Sequence, residues 1–327
     1  MPDILRDAYD EVIKDVIEEL KKEGKSAQEI VDLLEEREVK VIDSVTDKAC
    51  EYSIEYMTEH MYENYLEWES RDAEFYAKQE QKWGRCFAAS RMMYTSVIEM
   101  AKSYIKYITI ENPPDNFKSK QYTFYCLVHL HGRACQEFLE ILTLMKGGFA
   151  DGAYARCRSL FELCCVASFI KEQGESIAEA YYKQSDADYQ QKSYNWANSV
   201  RDFDGKNVRS FAQIQRMCNL PQPWKEGYDL TCLLTHASPQ ATFKRMANGK
   251  DINIIPVGRS DYNIKYPAIH SAICLRWITA TFFTLFQHMD SLSNVKAINK
   301  WADTVCEMYC STHDMVFAEA IKAGKAE

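Results

Sequence analysis

Glycine and proline are scarce in this sequence, with 12 and 8 occurrences among 327 residues. Strand-rich folds need frequent turns, and turns draw heavily on these two residues, so their scarcity favours long helices. Alternating runs of Val, Ile and Thr, which are typical of half-buried strands, are also rare. The sequence therefore predicts an all-α fold organised as a multi-helix bundle.

The chain also lacks a long uncharged apolar run. A membrane-spanning helix needs roughly 20 such residues, and the nearest candidate, residues 273–286, is interrupted by Arg276. The first seven residues are charged and contain no apolar stretch of the kind that a secretory signal requires. We therefore expect a cytoplasmic protein without a membrane partner. Its twelve cysteines are expected to be reduced thiols packed in the core.

Motifs for several chemistries are missing. There is no Walker A loop, dinucleotide-binding glycine loop, Cys-x-x-Cys or His-Glu-x-x-His, so we expect no cofactor and no metal. Cys306, Cys310 and His313 share one helical face, but three ligands would need a fourth, and apolar neighbours favour a packing face. Helical ribonucleases of the HEPN class carry an arginine five to seven residues before a histidine. None of the seven histidines has one.

Charge is distributed unevenly along the chain. Residues 1–80 contain 24 acidic and 10 basic residues, whereas the rest contains 24 and 29. Residues 4–23 form an amphipathic pattern, Ser26 and Glu29 have the spacing of a capping box, and helical periodicity continues to about Ala77. These features predict an elongated acidic helical arm. Either the arm is simply solvated, or it docks on a basic surface of its own body, a partner or a second copy.

A proline pair marks the clearest linker. Residues 111–115 contain Pro113 and Pro114, which cannot continue a helix. We place the domain boundary there, with the acidic arm and its connecting helices over 1–112 and a helical bundle over 115–327. One short strand-like or hairpin insertion is predicted at residues 251–257.

Two long helices are predicted at the start of the bundle, over about 117–146 and 151–172. The glycine pair 147–148 between them implies an antiparallel hairpin. The second helix is apolar nearly all round, which is typical of a buried helix. Its only charged residues between 152 and 170 are Arg156, Arg158 and Glu162.

These few charges are the first candidate site. Arg158 and Glu162 are four residues apart and can pair on one helical face, near Tyr154. The pair is either a core ion pair that sets helix register or an arginine presented to phosphate and oriented by Glu162. The preceding helix has a polar stripe that faces either this pair or the solvent. Its members are His129, Arg133, Glu137 and Glu140.

A histidine elsewhere in the chain is the second candidate. His236 ends an apolar segment that begins near Tyr228, and the C-terminal end of a helix favours a protonated ring. An imidazole acid/base beside a phosphate-holding arginine would suit phosphodiester cleavage. The same groups would equally suit simple binding of a phosphorylated ligand.

A family resemblance appears at these residues. The runs His131-Gly132-Arg133-Ala134 and Gly147 to Glu162, the latter containing Arg-Cys-Arg-Ser-Leu-Phe-Glu, resemble the bacterial DUF5677 family. The Thr-His-Ala-Ser sequence within residues 228–238 is similar to that family's second characteristic stretch. The resemblance spans about 115–290 and implies a helical bacterial protein without an assigned reaction, from a family met among mobile and antiphage defence genes. Its matched positions are Arg158, Glu162 and His236.

Two function hypotheses follow. The first is an intracellular bacterial effector or sensor that binds a phosphate-bearing ligand such as RNA or a nucleotide, with cleavage as a further step. In it Arg158 holds the phosphate, Glu162 orients that arginine and His236 serves as acid/base. The expected ligand-binding residues are Arg133, His129, Glu137, Tyr154 and Arg156. The rival is a non-catalytic interaction or scaffold protein whose acidic arm binds a partner or self-associates.

Overall fold

The fold is all-α, as the composition predicted. The computed structural model describes residues 3–36, 38–186, 194–218, 239, 242 and 258–322, except for the side chains of 35, 36, 38–40, 319 and 320. No strand occurs in this part of the chain, where extended pairing is limited to a bridge between Arg201 and Asn207. The strand-like insertion predicted at 251–257 lies outside the described residues.

Helices make up most of the described part of the chain. In chain order they are α1 (Ile4–Lys22), α2 (Ala27–Glu36), α3 (Glu38–Lys106), α4 (Gln121–Lys146), α5 (Ala150–Gln173), α6 (Glu175–Gln184), α7 (Phe211–Met217), α8 (Lys265–Phe283), α9 (Met289–Val316) and α10 (Ala318–Lys322). A π-helical turn at Tyr107–Glu111 ends α3, and 3₁₀ turns occur at Lys118–Lys120 and Asn195–Ala197. None of the described helices is long and apolar enough to cross a membrane.

The chain forms two compact units, Met1–Glu74 and Phe75–Glu327. In the first, the predicted capping box is confirmed. The Glu29 backbone N–H donates to Ser26 Oγ at 3.4 Å, and the Ser26 N–H donates to Glu29 Oε2 at 2.8 Å. Lys48 of α3 pairs with Glu11 of α1 at 3.0 Å, which ties these two helices together.

The second unit is built around α5. This helix packs against α4, α6, α7 and α8, and α8 packs in turn against α4 and α9. The predicted burial of α5 is confirmed along its length, because most of its aliphatic, aromatic and cysteine side chains are buried. The largest side chains in this core include Trp83, Phe161 and Tyr309, all with 0% exposure.

The predicted α4–α5 hairpin is confirmed. Lys146 ends α4, Gly147 and Gly148 form the turn, and Ala150 begins α5. The segment before α8 holds this turn from outside, since Arg259 Nη1 donates to the Gly147 carbonyl at 2.8 Å. The Ser260 N–H donates to the Gly148 carbonyl at 3.0 Å. Gly148 has a φ of +76°, which lies in the left-handed region that favours glycine.

The cysteines are mostly core residues. Eleven of them lie in the described part of the chain, and none of these forms a disulfide. Cys50 and Cys310 are exposed and Cys306 is partly buried, whereas the other eight are buried among apolar side chains.

Candidate functional site: an arginine surface on α4 and α5

Three arginines on the hairpin are each held by a carboxylate. On α4, Arg133 Nε donates to Glu137 Oε1 at 3.3 Å. On α5, Arg158 Nε donates to Glu162 Oε1 at 3.1 Å. Between the two helices, Arg156 Nε donates to Glu140 Oε2 at 2.6 Å. We call this group the arginine surface; it consists of Arg133, Glu137, Glu140, Arg156, Arg158 and Glu162.

All three arginines keep part of their side chain exposed. The exposed fractions are 67% for Arg133, 37% for Arg156 and 26% for Arg158. Arg156 and Arg158 stand at the two edges of the partly exposed side of α5, because two residues correspond to about 200° of helical rotation. The small residues Ala155 and Ser159, both partly exposed, lie between them on that side.

Glu137 is the most deeply buried charge of this surface. Its side chain is 1% exposed, and its Oε2 has no hydrogen-bond partner among the described residues. Burial raises the pKa of this carboxyl above the ordinary value of 4.5, while Arg156 and then Arg133 act in the opposite direction. A carboxyl of this kind can exchange a proton closer to neutral pH than an exposed glutamate can.

The polar stripe of α4 meets Arg156, whereas sequence reasoning suggested Arg158 and Glu162 as its neighbours. Arg156 Nη2 lies 2.6 Å from Glu140 and 3.9 Å from Glu137. Arg158 points to the other edge of α5, where its carboxylate partner comes from its own helix. Arg158 and Glu162 are therefore partly exposed rather than sealed in the core. His129, at the start of the stripe, is exposed.

Two tyrosines border this surface that sequence reasoning missed. Burial, and after it the Glu162 carboxylate, raise the pKa of the Tyr194 phenol, while Arg158 opposes them. Burial likewise raises the pKa of Tyr181, and Arg133 opposes it. Both tyrosines follow α5 in a polar, tyrosine-rich stretch of sequence. Their proximity to the arginines depends on tertiary packing against the hairpin, which sequence spacing does not show.

Two predicted site residues are not part of this surface. Tyr154 is 4% exposed, and its ring packs edge-on against His270 with centroids 5.8 Å apart. It is therefore a core residue, although it lies one helical turn before Arg158 and on the opposite side of α5 from Arg156. His236 lies outside the described residues, so its partnership with Arg158 stays a prediction.

Metal ligands do not gather in the part of the chain that is described. No group of three or more His, Cys, Asp or Glu side chains there has an arrangement that could hold an ion. Of the three residues aligned on α9, His313 is buried beside Asp314 at 3.4 Å, and Cys310 is exposed.

The part of the chain that resembles a known family includes this hairpin. Residues 124–199 match the model of DUF5677, a family of unknown function. The matched segment contains every residue of the arginine surface as well as Tyr181 and Tyr194. It is shorter than the expected 115–290 and does not include His236. No curated protein and no solved structure matches the chain.

Proposed function

We propose that this chain binds a phosphate-bearing ligand at the arginine surface. The observation that carries the proposal is the set of three arginines, each oriented by a carboxylate and each still partly exposed. A guanidinium presents its N–H groups in a planar fork that matches phosphate oxygens. At Arg133 the carboxylate takes Nε, which leaves the terminal amino groups on the exposed end of the side chain.

The charge balance of the surface also favours an anion. Three arginines face three glutamates, and protonation of the buried Glu137 leaves one net positive charge. Burial raises the pKa of Glu137, so this carboxyl can become protonated when a phosphate approaches. The phosphate then replaces it as the anion beside Arg133 and Arg156. Phosphate affinity is therefore expected to increase as the pH falls toward the pKa of Glu137.

Substitution of the arginines tests the binding proposal. Arg133→Gln and Arg156→Gln are each expected to weaken binding of a fluorescein-labelled 20-nucleotide single-stranded RNA by about tenfold, since each removes a charged hydrogen-bond donor. Fluorescence anisotropy of the full chain measures the affinity, and competition with ATP separates a nucleotide site from an RNA surface. Arg91→Gln, at an exposed position of α3, is the matched control and should leave affinity unchanged.

Two outcomes would count against this proposal. The first is an equal loss of affinity in the Arg91 control, which would indicate only general charge attraction. The second is that neither RNA nor ATP binds the wild-type protein.

Cleavage is a separate step of the same proposal. A general acid/base is needed in addition to the phosphate contacts, and His236 is the residue that we assign to it. In a gel assay with the same RNA, His236→Ala should prevent cleavage and leave the anisotropy titration unchanged. If the RNA stays intact after incubation with the wild-type protein, the chain binds RNA but does not cleave it.

A second candidate function rests on the helical arm. Along α3, five large apolar side chains recur at intervals of three or four residues, and each is more than 50% exposed. We call them the arm stripe; they are Ile54, Met57, Met61, Tyr65 and Trp68. Exposed apolar side chains aligned on one helical face are typical of a protein-binding surface.

The net charge of the segment that carries the arm stripe indicates the kind of partner. Residues 51–69 contain six glutamates and no lysine or arginine. Five of these glutamates follow one another at intervals of four, an arrangement that destabilises a helix through like-charge repulsion. Because of the helical period, these glutamates lie mainly on the side of α3 away from the arm stripe. They act on a partner through the negative field of the segment, which repels a second copy and attracts a basic amphipathic helix. We therefore propose a basic, amphipathic partner helix for this face.

A designed peptide tests the arm. An amphipathic helix of leucine and lysine should bind the full chain, and Met61→Ala should weaken that binding by about tenfold, because a large buried apolar side chain contributes roughly 1.5–3 kcal/mol. Leu66→Ala is the matched control, since Leu66 is 51% exposed but lies off the stripe. Concentration-dependent dimerisation that Met61→Ala abolishes, seen by sedimentation, would instead assign the face to a second copy.

A further inference from the structure

Gln79 is a buried amide without a partner. It lies on α3 with 2% exposure, and neither its Nε2 nor its Oε1 has a hydrogen-bond partner among the described residues. One turn later, the Trp83 indole Nε1 is in the same situation at 0% exposure. Buried polar groups are nearly always hydrogen-bonded. A buried amide whose donor and acceptor both lack a partner therefore requires an explanation.

Gln79 also lines a groove between α3 and α4. The groove has a volume of about 480 Å³ and is lined by Tyr76, Ala77, Gln79, Glu80, Thr143 and Lys146. This volume lies within the range of small-molecule sites, about 300–1,000 Å³. The Thr143 hydroxyl already donates to the Leu139 carbonyl at 2.9 Å. Among the residues that line the groove, the Gln79 amide is therefore the buried polar group that lacks a hydrogen-bond partner.

The rim of the groove adds an aromatic ring and a cation. The ring of Tyr76 is 43% exposed, and the guanidinium of Arg259 lies 5.2 Å from its centroid. Lys146 Nζ lies 3.9 Å from Glu80 Oε2, a carboxylate that is 61% exposed. A pair that long and that exposed is weak, so an anion of higher charge can replace Glu80 beside Lys146.

We propose that this groove binds a nucleotide. A carboxamide matches the adjacent donor and acceptor on the edge of a base, as glutamine does with adenine. An exposed tyrosine ring offers a stacking face, and Lys146 attracts the phosphate. Both polar atoms of the Gln79 amide are enclosed in the structure, so nucleotide binding requires this side chain to change rotamer and turn its amide into the groove. The site shares no residue with the arginine surface and does not depend on the proposed function.

AMP is the probe for this groove, titrated calorimetrically into the full chain. Gln79→Met keeps the length of the side chain and removes both polar atoms, so AMP affinity should fall at least tenfold. The melting temperature should stay the same or rise, because the variant loses an unpartnered buried amide. Gln81→Met, at an exposed position of the same helix, should change neither quantity. Adenosine and ribose 5-phosphate should each bind more weakly than AMP.

Several results would overturn the inference. Absence of AMP binding to the wild-type protein would do so, as would equal affinity for ribose 5-phosphate, which lacks the base. A lower melting temperature of Gln79→Met with unchanged AMP affinity would make Gln79 a structural residue. If Arg156→Gln abolishes AMP binding while Gln79→Met does not, the nucleotide binds at the arginine surface, and the proposed function stands without this groove.

Discussion

Replacing Gly148 with alanine is expected to destabilise the second unit by about 3 kcal/mol or more, the sum of a backbone cost and a steric one. The φ of +76° is disfavoured for any residue with a Cβ. A Cβ at this position would also lie 2.4 Å from Phe75 Cζ and 2.8 Å from the Ser260 carbonyl oxygen. The Phe75 ring can move, but the Ser260 oxygen belongs to the backbone that closes the hairpin turn.

Gly152 provides the matched control for this prediction. It lies in the first turn of α5, where a Cβ would meet Leu144 at 3.8 Å and Phe149 Cβ at 4.0 Å, both ordinary van der Waals distances. Gly152→Ala should therefore stabilise the protein by about 0.5–1 kcal/mol through helix propensity. Denaturant unfolding of both variants measures the difference. Equal effects would mean that the Gly147–Gly148 turn does not depend on its left-handed backbone.

Acidification is expected to remove about 3 kcal/mol of stability through a single histidine, His131. Its ring is 3% exposed on α4, and its Nε2 lies 3.1 Å from Thr279 Oγ1 of α8. Burial lowers its pKa from 6.5 to about 4. Between pH 6.5 and 4, His131 is therefore protonated in the unfolded chain but remains neutral in the folded one. The contribution of His131 is complete above pH 6.5 and is lost as the pH falls toward 4.

The comparison with a neighbouring histidine isolates this contribution. His129 lies two residues earlier on α4 and is exposed, so His129→Gln should retain the wild-type dependence of unfolding free energy on pH. His131→Gln should be less stable at pH 7, because its amide fits the ring site poorly, but its stability should fall less between pH 6.5 and 4. Parallel pH profiles for wild type and His131→Gln would rule out His131 as the cause.

The helices were the most predictable part of the molecule. Apolar residues all round the segment 152–170 predicted a buried helix, and α5 is the most enclosed helix of the hairpin. The glycine pair predicted the turn, and the spacing of Ser26 and Glu29 predicted a cap. Each of these patterns depends on residues close together in the chain, for which helical geometry leaves few alternatives.

The candidate site was predictable only in part. The pairing of Arg158 with Glu162 follows from their spacing on one helix and is present in the structure. Spacing could not show which residue of α5 meets the stripe of α4, because that depends on how two helices are rotated against each other. Nor could it separate Tyr154, which faces the core, from the arginines two and four residues later.

The sequence by itself determined the all-α class, the antiparallel hairpin and the charged residues that the hairpin carries, because period and turn chemistry are local properties. Tertiary structure decided which of those charges are buried and which partner each one meets. Glu137 is enclosed with no partner for its Oε2 among the described residues, and Arg156 approaches its other oxygen only because α5 packs against α4. Gln79 gives no local signal, and only packing leaves its amide unpaired beside a groove shared by two helices.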